Sequence, residues 1–164
     1  MRRVCVWCGA ALLVVALGHC GKSGDGGGAA KRDPAELGRE IGETYLAMME
    51  DAAGAVAAAA DPAALGPVVD GLTTKYAERF VALGRQREAL GPSDREKCDG
   101  VAGTRMRGVA HDHLAAIDAA AAACKETDPA LAKRVGDLRR MARYASFEQL
   151  RAQLPEEAAR LGVR

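Results

Sequence analysis

Apolar residues recur every three or four positions along most of the chain after residue 33, and this spacing is typical of one face of an α-helix. The pattern predicts four main helices. They run from Pro34 to about residue 60, from Pro62 to about Leu90, from about Asp94 through Cys124, and from Pro129 to Ala145. A short further helix is predicted from Ser146 through Leu154, and Pro155 could open a last turn.

The apolar positions of these helices form the predicted core. On the first helix they are Leu37, Ile41, Tyr45, Met48, Ala52 and Val56, and on the second Leu65, Val69, Leu72, Tyr76, Phe80, Leu83 and Leu90. On the third they are Cys98, Ala102, Met106, Val109, His113, Ile117, Ala120 and Cys124, and on the fourth Leu131, Val135, Leu138, Ala142 and Ala145. The many Ala and Gly residues on the inner faces predict that the helices pack closely.

Three Asp-Pro pairs, at 33–34, 61–62 and 128–129, each stand directly before a periodic run. Aspartate is a favoured N-cap, and proline fits the first position of a helix, so each pair predicts a helix start. The connections are short and favour antiparallel neighbours. We therefore expect an all-α fold: an antiparallel four-helix bundle with a short extra C-terminal helix, spanning residues 33–164.

The N-terminus has a different pattern. Met1-Arg2-Arg3 is a short positive segment, and Val4–Leu17 is an apolar run of about 14 residues, within the range of a signal peptide and short for a membrane span. Leu17-Gly18-His19-Cys20 follows, and a Gly/Ser-rich stretch comes after it. The Gly-rich stretch is too polar to pack and is typical of a tether.

This order resembles the signal segment of bacterial lipoproteins, in which a Leu precedes, by three positions, a Cys that becomes the acylated N-terminus. The resemblance implies a signal peptide over residues 1–19 and a lipidated Cys20 with its tether over residues 20–32. It also implies an outer-membrane lipoprotein that faces the periplasm, because Gly21 follows the Cys. His19 departs from the pattern, and the alternative is cleavage after Gly18 to give a soluble periplasmic or secreted protein.

Two motifs inside this segment are interpreted as coincidental. Residues 16–23 match a relaxed phosphate-loop pattern, but such a loop needs a strand before it and a helix after it, and here a signal and a glycine run take those places. Cys5 and Cys8 have C-x-x-C spacing but lie in the apolar run of the signal. We expect neither a nucleotide nor a metal at these positions.

Composition removes further classes of function. The formal net charge is +1, and loss of Arg2 and Arg3 with the signal leaves about −1 by the same count, so no bulk charge favours nucleic acid. Serine is scarce, and no Ser/His/Asp or Cys/His arrangement stands out. The sequence therefore predicts no enzyme and no catalytic residue.

His111-Asp112-His113 is the triplet most similar to a metal site. Two residues apart on a helix point in nearly opposite directions, so we expect an exposed His111, a partly buried His113, no metal and no cofactor. Haem-binding periplasmic four-helix bundles have a comparable architecture, but their Cys-x-x-Cys-His motif is absent, and Met48, Met49, Met106 and Met141 are interpreted as core.

Charged residues are interpreted mainly as surface. Glu36, Glu40, Glu43 and Glu50 fall on the polar side of the first helix. The fourth helix is the most basic, with Lys133, Arg134, Arg139, Arg140 and Arg143, and could contact anionic lipid or a partner. The preferred hypothesis is a membrane-anchored envelope lipoprotein acting through contact with another envelope protein; the alternative is a periplasmic bundle that binds a small ligand or haem.

Cys98 and Cys124 lie on one stripe of the predicted third helix, 26 positions apart in the sequence. At about 1.5 Å per residue they are roughly 39 Å apart in a continuous helix. A disulfide needs Cα atoms within about 7 Å, so we expect two buried thiols and no bond between them.

Overall fold

Every regular element is helical in the computed structural model, which describes residues 32–59 and 61–163. Along this part of the chain the α-helices are α1 (Pro34–Ala58), α2 (Pro62–Glu88), α3 (Pro92–Met106), α4 (His111–Cys124), α5 (Pro129–Asp137), α6 (Phe147–Gln153) and α7 (Pro155–Arg160), with a 3₁₀ helix (Leu138–Ala145) between α5 and α6. The all-α fold class is thereby confirmed. The predicted signal peptide, Cys20 and residues 20–31 of the predicted tether lie outside the described residues.

The three Asp-Pro pairs start helices as predicted. The side chain of Asp33 accepts a hydrogen bond from the backbone N–H of Ala35 at 2.8 Å, and Asp61 accepts from Ala64 at 2.8 Å. Asp128 accepts from Leu131 at 2.9 Å. Each carboxylate thus satisfies a backbone donor that has no partner within its helix.

Helix α1 is the centre of the domain, since it contacts α2, α3, α4 and the 3₁₀ helix. Its most extensive contact is with α3, where Gly38 and Gly42 leave no room for a side chain: a Cβ atom at Gly38 would overlap the carbonyl oxygen of Cys98, and one at Gly42 would overlap the Cβ of Arg105. The predicted close packing of helices through small residues is confirmed at this contact.

The buried residues largely follow the predicted stripes. Leu37, Met48, Val69 and Phe80 are fully buried on α1 and α2, and the core extends through the other helices to Val163. Burial of these side chains from helices far apart in the sequence supplies the main favourable free energy of folding.

The prediction of a continuous third helix is wrong. Helix α3 ends at Met106, and α4 begins at His111 after a tight turn in which the N–H of Gly108 donates to the carbonyl of Arg105 at 2.9 Å. Glycine is a poor helix former, so Gly108 lowers the cost of the break. Because of the break, α3 and α4 pack separately on α1, and Val109 of the predicted stripe is only half-buried.

The predicted fourth helix is also two elements, and the four-helix description of the bundle is not confirmed. After Asp137 the chain tightens into the 3₁₀ helix, which has about three residues per turn. Leu138, Met141 and Tyr144, spaced three apart, are therefore buried in one row, whereas Ala142 of the predicted α-helical stripe is half-buried.

Helices α6 and α7 are short and pack on one another, and α6 also contacts the 3₁₀ helix. Phe147 and Leu150 anchor α6 in the core, and Ala158 anchors α7. Within residues 32–59 and 61–163, no helix combines the length and apolarity needed to cross a membrane.

Candidate functional site: a basic cavity beside the 3₁₀ helix

The 3₁₀ helix borders a cavity of about 880 Å³. The cavity lies among the end of α3, α5, the 3₁₀ helix and the C-terminal helices, and Tyr45 of α1 also contributes to its wall. Its lining residues are Tyr45, Met106, Arg107, Lys133, Asp137, Arg139, Arg140, Ala142, Arg143, Gln149, Gln153 and Leu154. Five of these side chains are cationic and one is anionic, which gives the wall a net charge of +4.

Local backbone geometry brings the cations together. Residues three apart lie in one row of a 3₁₀ helix, so Arg140 and Arg143 follow one another along it. Lys133 lies in the middle of α5, and Arg107 follows the last residue of α3 because that helix stops before Gly108. The two departures from the predicted helices are thus what assemble this wall.

The exposed cations around the opening are neutralised to different degrees. Arg139 donates to both carboxylate oxygens of Asp118, at 2.7 and 2.9 Å, and Lys133 contacts Asp137 at 2.7 Å. Arg107 donates to the hydroxyl of Thr104 at 3.0 Å. Arg140 is exposed and has no ion-pair partner among residues 32–59 and 61–163. Arg140 is therefore the rim cation most available to an external anion.

Arg143 is the deep cation of the cavity. Its side chain is only 9% exposed, and its nearest anion is Asp137, with 3.6 Å between Nη2 of Arg143 and Oδ1 of Asp137. The Nε atom is buried and has no hydrogen-bond partner in the described part of the chain. Arg143 also lines two neighbouring cavities of about 210 and 300 Å³. A buried guanidinium with a free donor is costly, because burial removes water that would otherwise bind it.

Tyr45 is the residue of α1 in the cavity wall, and a hydrogen bond holds its side chain in place. Its hydroxyl donates to the backbone carbonyl of Arg139 at 3.0 Å, which ties α1 to the 3₁₀ helix. Burial raises the pKa of the Tyr45 phenol above its ordinary value, although the positive charge of Arg139 opposes the shift. The phenol is therefore neutral at physiological pH and committed to a structural hydrogen bond.

A second ion-pair cluster lies beside the smaller cavity of about 210 Å³. Arg87 of α2 donates from Nε to Oδ1 of Asp99 at 2.7 Å and from Nη2 to Oδ2 at 2.6 Å, and its Nη1 contacts Glu88 at 2.8 Å. Hydrogen bonding to Asp99 raises the pKa of Arg87 above its ordinary value. Both donor edges of this guanidinium are occupied, so Arg87 is a structural cation, unlike Arg143.

The exposures of the histidines are as predicted, since His111 is exposed and His113 is half-buried. Both lie in the first turn of α4, and not in the middle of one long helix as the sequence predicted. Neither lines the 880 Å³ cavity. Over the residues that the structure describes, no three or more His, Cys, Asp or Glu side chains are grouped so as to hold a metal ion. Met48, Met49 and Met141 are fully buried core residues as predicted, whereas Met106 is half-buried and contributes to the cavity wall.

The acidic residues of α1 are mainly surface residues, as predicted. Glu36, Glu43 and Glu50 are exposed, and Glu40 is half-buried and pairs with Arg32. None of them reaches the cavity.

The basic residues predicted on the fourth helix divide between two sites. Lys133, Arg139, Arg140 and Arg143 line the cavity, but Arg134 pairs with Asp70 of α2 at 2.7 Å and lies outside its wall. The interpretation of Arg143 as solvated surface is wrong, because its side chain is only 9% exposed and lines the cavity wall. Sequence reasoning also missed Arg107.

Cys98 and Cys124 are buried free thiols, as expected. The reason given by the sequence, a continuous helix, does not hold, since the two residues lie on the separate helices α3 and α4. Burial raises the pKa of the Cys98 thiol, with a smaller contribution from the negative charge of Asp99. A protonated, inaccessible thiol is a poor nucleophile.

The cavity wall provides charge but little acid–base chemistry: its carboxylate Asp137 lies between Lys133 and Arg143, and its phenol already donates to a backbone carbonyl. This arrangement is suited to holding an anion. No family model matches the chain, and comparison with curated proteins and with solved structures gives no significant match either.

Proposed function

We propose that this protein is an exported lipoprotein, anchored to the membrane through Cys20, whose helical domain binds an acidic partner protein of the cell envelope. The basic face that would make this contact consists of Arg107, Lys133, Arg139, Arg140 and Arg143. The observation that carries the proposal is the concentration of these five cations around one cavity in a chain whose formal net charge is only +1.

The exposure of the rim supports a protein contact. The side chain of Lys133 is 75% exposed and that of Arg139 is 43% exposed, and Arg140 and Arg107 are also exposed. Opposite charges on two surfaces steer their encounter and set its specificity more than they raise affinity. An acidic surface with side chains spaced to meet these four cations is the complementary partner. Association of this kind weakens as ionic strength rises.

The size of the cavity favours a second candidate function, the binding of a small ligand. A volume of about 880 Å³ falls within the range of about 300–1,000 Å³ that is usual for small-molecule sites. Haem is a poor fit to this wall, because neither His111 nor His113 reaches it and its single sulfur ligand would be Met106. A small anion is the better candidate.

The export part of the proposal is supported by the order of charge, apolar run, Cys20 and Gly-rich stretch. Several acyl chains on one N-terminal cysteine would make membrane attachment stable, where one chain is marginal. Mass spectrometry of the mature N-terminus tests this point: we expect a terminal, acylated Cys20. An unmodified N-terminus at His19 would instead establish ordinary cleavage after Gly18. Cys20→Ser should leave the protein unprocessed or release it from the membrane.

The partner contact is tested by crosslinking in intact cells with the full-length protein. The informative variant is Arg140→Glu, and the matched control is Arg79→Glu, since Arg79 is an exposed arginine on α2 outside the cavity wall. We expect one crosslinked protein that is acidic, is lost in Arg140→Glu and is retained in Arg79→Glu. Equal crosslinking by both variants, or crosslinking to anionic lipid alone, would contradict the proposal.

A further inference from the structure

The inner part of the cavity differs from its rim in hydrogen bonding. At the rim, Arg139 has a carboxylate at hydrogen-bond distance, and Arg140 is exposed. The side chain of Arg143 is nine-tenths buried, its nearest carboxylate among the described residues lies at 3.6 Å, and its buried Nε has no hydrogen-bond partner in the described part of the chain. Arg143 therefore combines the least solvent exposure with the longest carboxylate contact among the ion-paired cations of this wall.

Asp137 does not neutralise this charge completely. The same carboxylate also pairs with Lys133 at 2.7 Å, nearly 1 Å closer than its contact with Arg143. One carboxylate thus serves two cations. Leaving a buried guanidinium incompletely paired costs stability, and such a group in a native protein requires an explanation, of which a bound anion is one.

A guanidinium is planar and presents paired donors that match the two oxygens of a carboxylate or a phosphate. Arg140 precedes Arg143 by three residues and lies in the same row of the 3₁₀ helix, so it provides a second positive charge on the same side of the cavity. Met106, Ala142 and Leu154 supply an apolar part of the wall. The wall therefore combines an anion-binding end with room for a modest apolar body.

We propose that the cavity binds an organic oxyanion, a carboxylate or a phosphate ester with a small apolar group, and that Arg143 pairs with its charged end. This inference rests on the proposed function, because it assumes that the basic face is a binding surface, and it adds the chemical class of the group bound there. A free organic acid and an acidic side chain of the partner protein share this chemistry. Arg140 and Arg107 contribute to the attraction from the rim.

Phenyl phosphate is a suitable probe because it has both an oxyanion and an apolar ring, and phenol is its uncharged counterpart. The full-length protein in a neutral detergent is titrated with each compound by calorimetry. We expect phenyl phosphate to bind with one-to-one stoichiometry and phenol to bind at least about tenfold more weakly, a difference of about 1.4 kcal/mol.

Three variants locate the charged end. Arg143→Gln should weaken phenyl phosphate binding by about tenfold or more, and Arg143→Lys should recover part of the loss because it keeps the charge without the planar pair of donors. Arg79→Gln should bind like the unchanged protein. If the Arg143 variants fail to fold by circular dichroism, Arg140→Gln decides, with an expected loss of about threefold for an exposed charge.

The inference is overturned if phenyl phosphate does not bind, or binds the Arg143→Gln and Arg140→Gln proteins as well as the unchanged protein. A Glu-rich peptide that displaces phenyl phosphate identifies the oxyanion as a side chain of the partner; phenyl phosphate that binds but is not displaced identifies it as a free small acid. Both results support an oxyanion site. If crosslinking still depends on Arg140 but phenyl phosphate does not bind, only this inference is overturned. If phenyl phosphate binds but crosslinking does not depend on Arg140, only the proposed protein contact is overturned.

Discussion

Gly38 of α1 lies directly against the backbone carbonyl of Cys98 on α3, so the two helices meet there without an intervening side chain. One turn further along α1, Gly42 lies in the same way against the Cβ of Arg105. Because Cys98 is fully buried and α3 is the main neighbour of α1, this contact sets the separation of the two helices at the centre of the domain.

Gly38→Ala should therefore destabilise the protein. A methyl group at residue 38 would overlap backbone atoms, and the helices must move apart, which we expect to cost about 1–3 kcal/mol. Gly54→Ala is the control, since a Cβ there meets nothing within 4 Å. That variant should gain about 0.5–1 kcal/mol from helix propensity. Chemical denaturation measures both, and a neutral or stabilising Gly38→Ala would contradict the close contact.

Asp99→Asn should lower the free energy of unfolding by about 1–2 kcal/mol, because it removes the charge paired at two points with the buried Arg87. Asp70→Asn makes the same change at an exposed pair, where Arg134 and Asp70 are 44% and 57% exposed. That control should lose less than about 1 kcal/mol. Equal losses in urea denaturation would show that burial of Arg87 adds nothing to the pair.

Thr44→Val should be neutral or stabilising. The Thr44 side chain is buried, and its hydroxyl has no hydrogen-bond partner among the described residues. Valine keeps the shape and removes a polar group whose burial costs about 1–3 kcal/mol when it is unpaired. Thr74→Val is the control, since the exposed Thr74 hydroxyl donates to the carbonyl of Asp70 at 3.0 Å. A marked loss of thermal stability in Thr44→Val alone would reveal an unrecognised hydrogen bond.

Stability should fall at alkaline pH. Burial raises the pKa of Tyr45, Tyr76 and Tyr144 in the folded state. A group with a raised folded pKa contributes stability that is present below its unfolded pKa of about 10 and is lost as pH rises through the folded value. The Tyr45→Phe protein should be less stable than the unchanged protein at neutral pH, because it lacks the hydrogen bond to the carbonyl of Arg139. As the pH rises further, its free energy of unfolding should fall less than that of the unchanged protein. Denaturation series at rising pH check this, and an identical pH dependence in both proteins would refute it.

Cys98 and Cys124 should resist alkylation in the folded protein, since they are 0% and 2% exposed and the pKa of Cys98 is raised by burial. Both should react after unfolding in denaturant without a reductant. Intact-mass measurement counts the adducts. Recovery of a peptide that links the two cysteines within a monomer would contradict the buried free thiols.

The sequence predicted the helices wherever local signals were strong. Asp33, Asp61 and Asp128 mark starts through hydrogen bonds made within three residues, so no tertiary information is needed. The stripes of α1 and α2 were predicted for the same reason, because long helices with one buried face keep a regular period. Leu37 and Phe80 are fully buried where the period places them.

The errors occur where tertiary packing overrides the period. The stripe through Val109 and His113 is continuous in the sequence, yet the chain breaks there so that α3 and α4 can each pack on α1. The change from α to 3₁₀ winding after Asp137 has no local signal either. The candidate site depends on both the break between α3 and α4 and the 3₁₀ winding. The sequence therefore predicted a basic element, but it did not predict the cavity or the burial of Arg143.

The 3₁₀ winding also has a rotational consequence. An α-helix turns about 100° per residue and a 3₁₀ helix about 120°, so over the five steps from Leu138 to Arg143 the two differ by about 100°. Rewinding this one segment as an α-helix, with Leu138 kept in the core, would swing Arg143 a quarter of a turn away from the cavity and bring Ala142 into the row of Leu138. The backbone winding of these eight residues therefore decides which of their side chains face the core and the cavity and which are exposed to solvent.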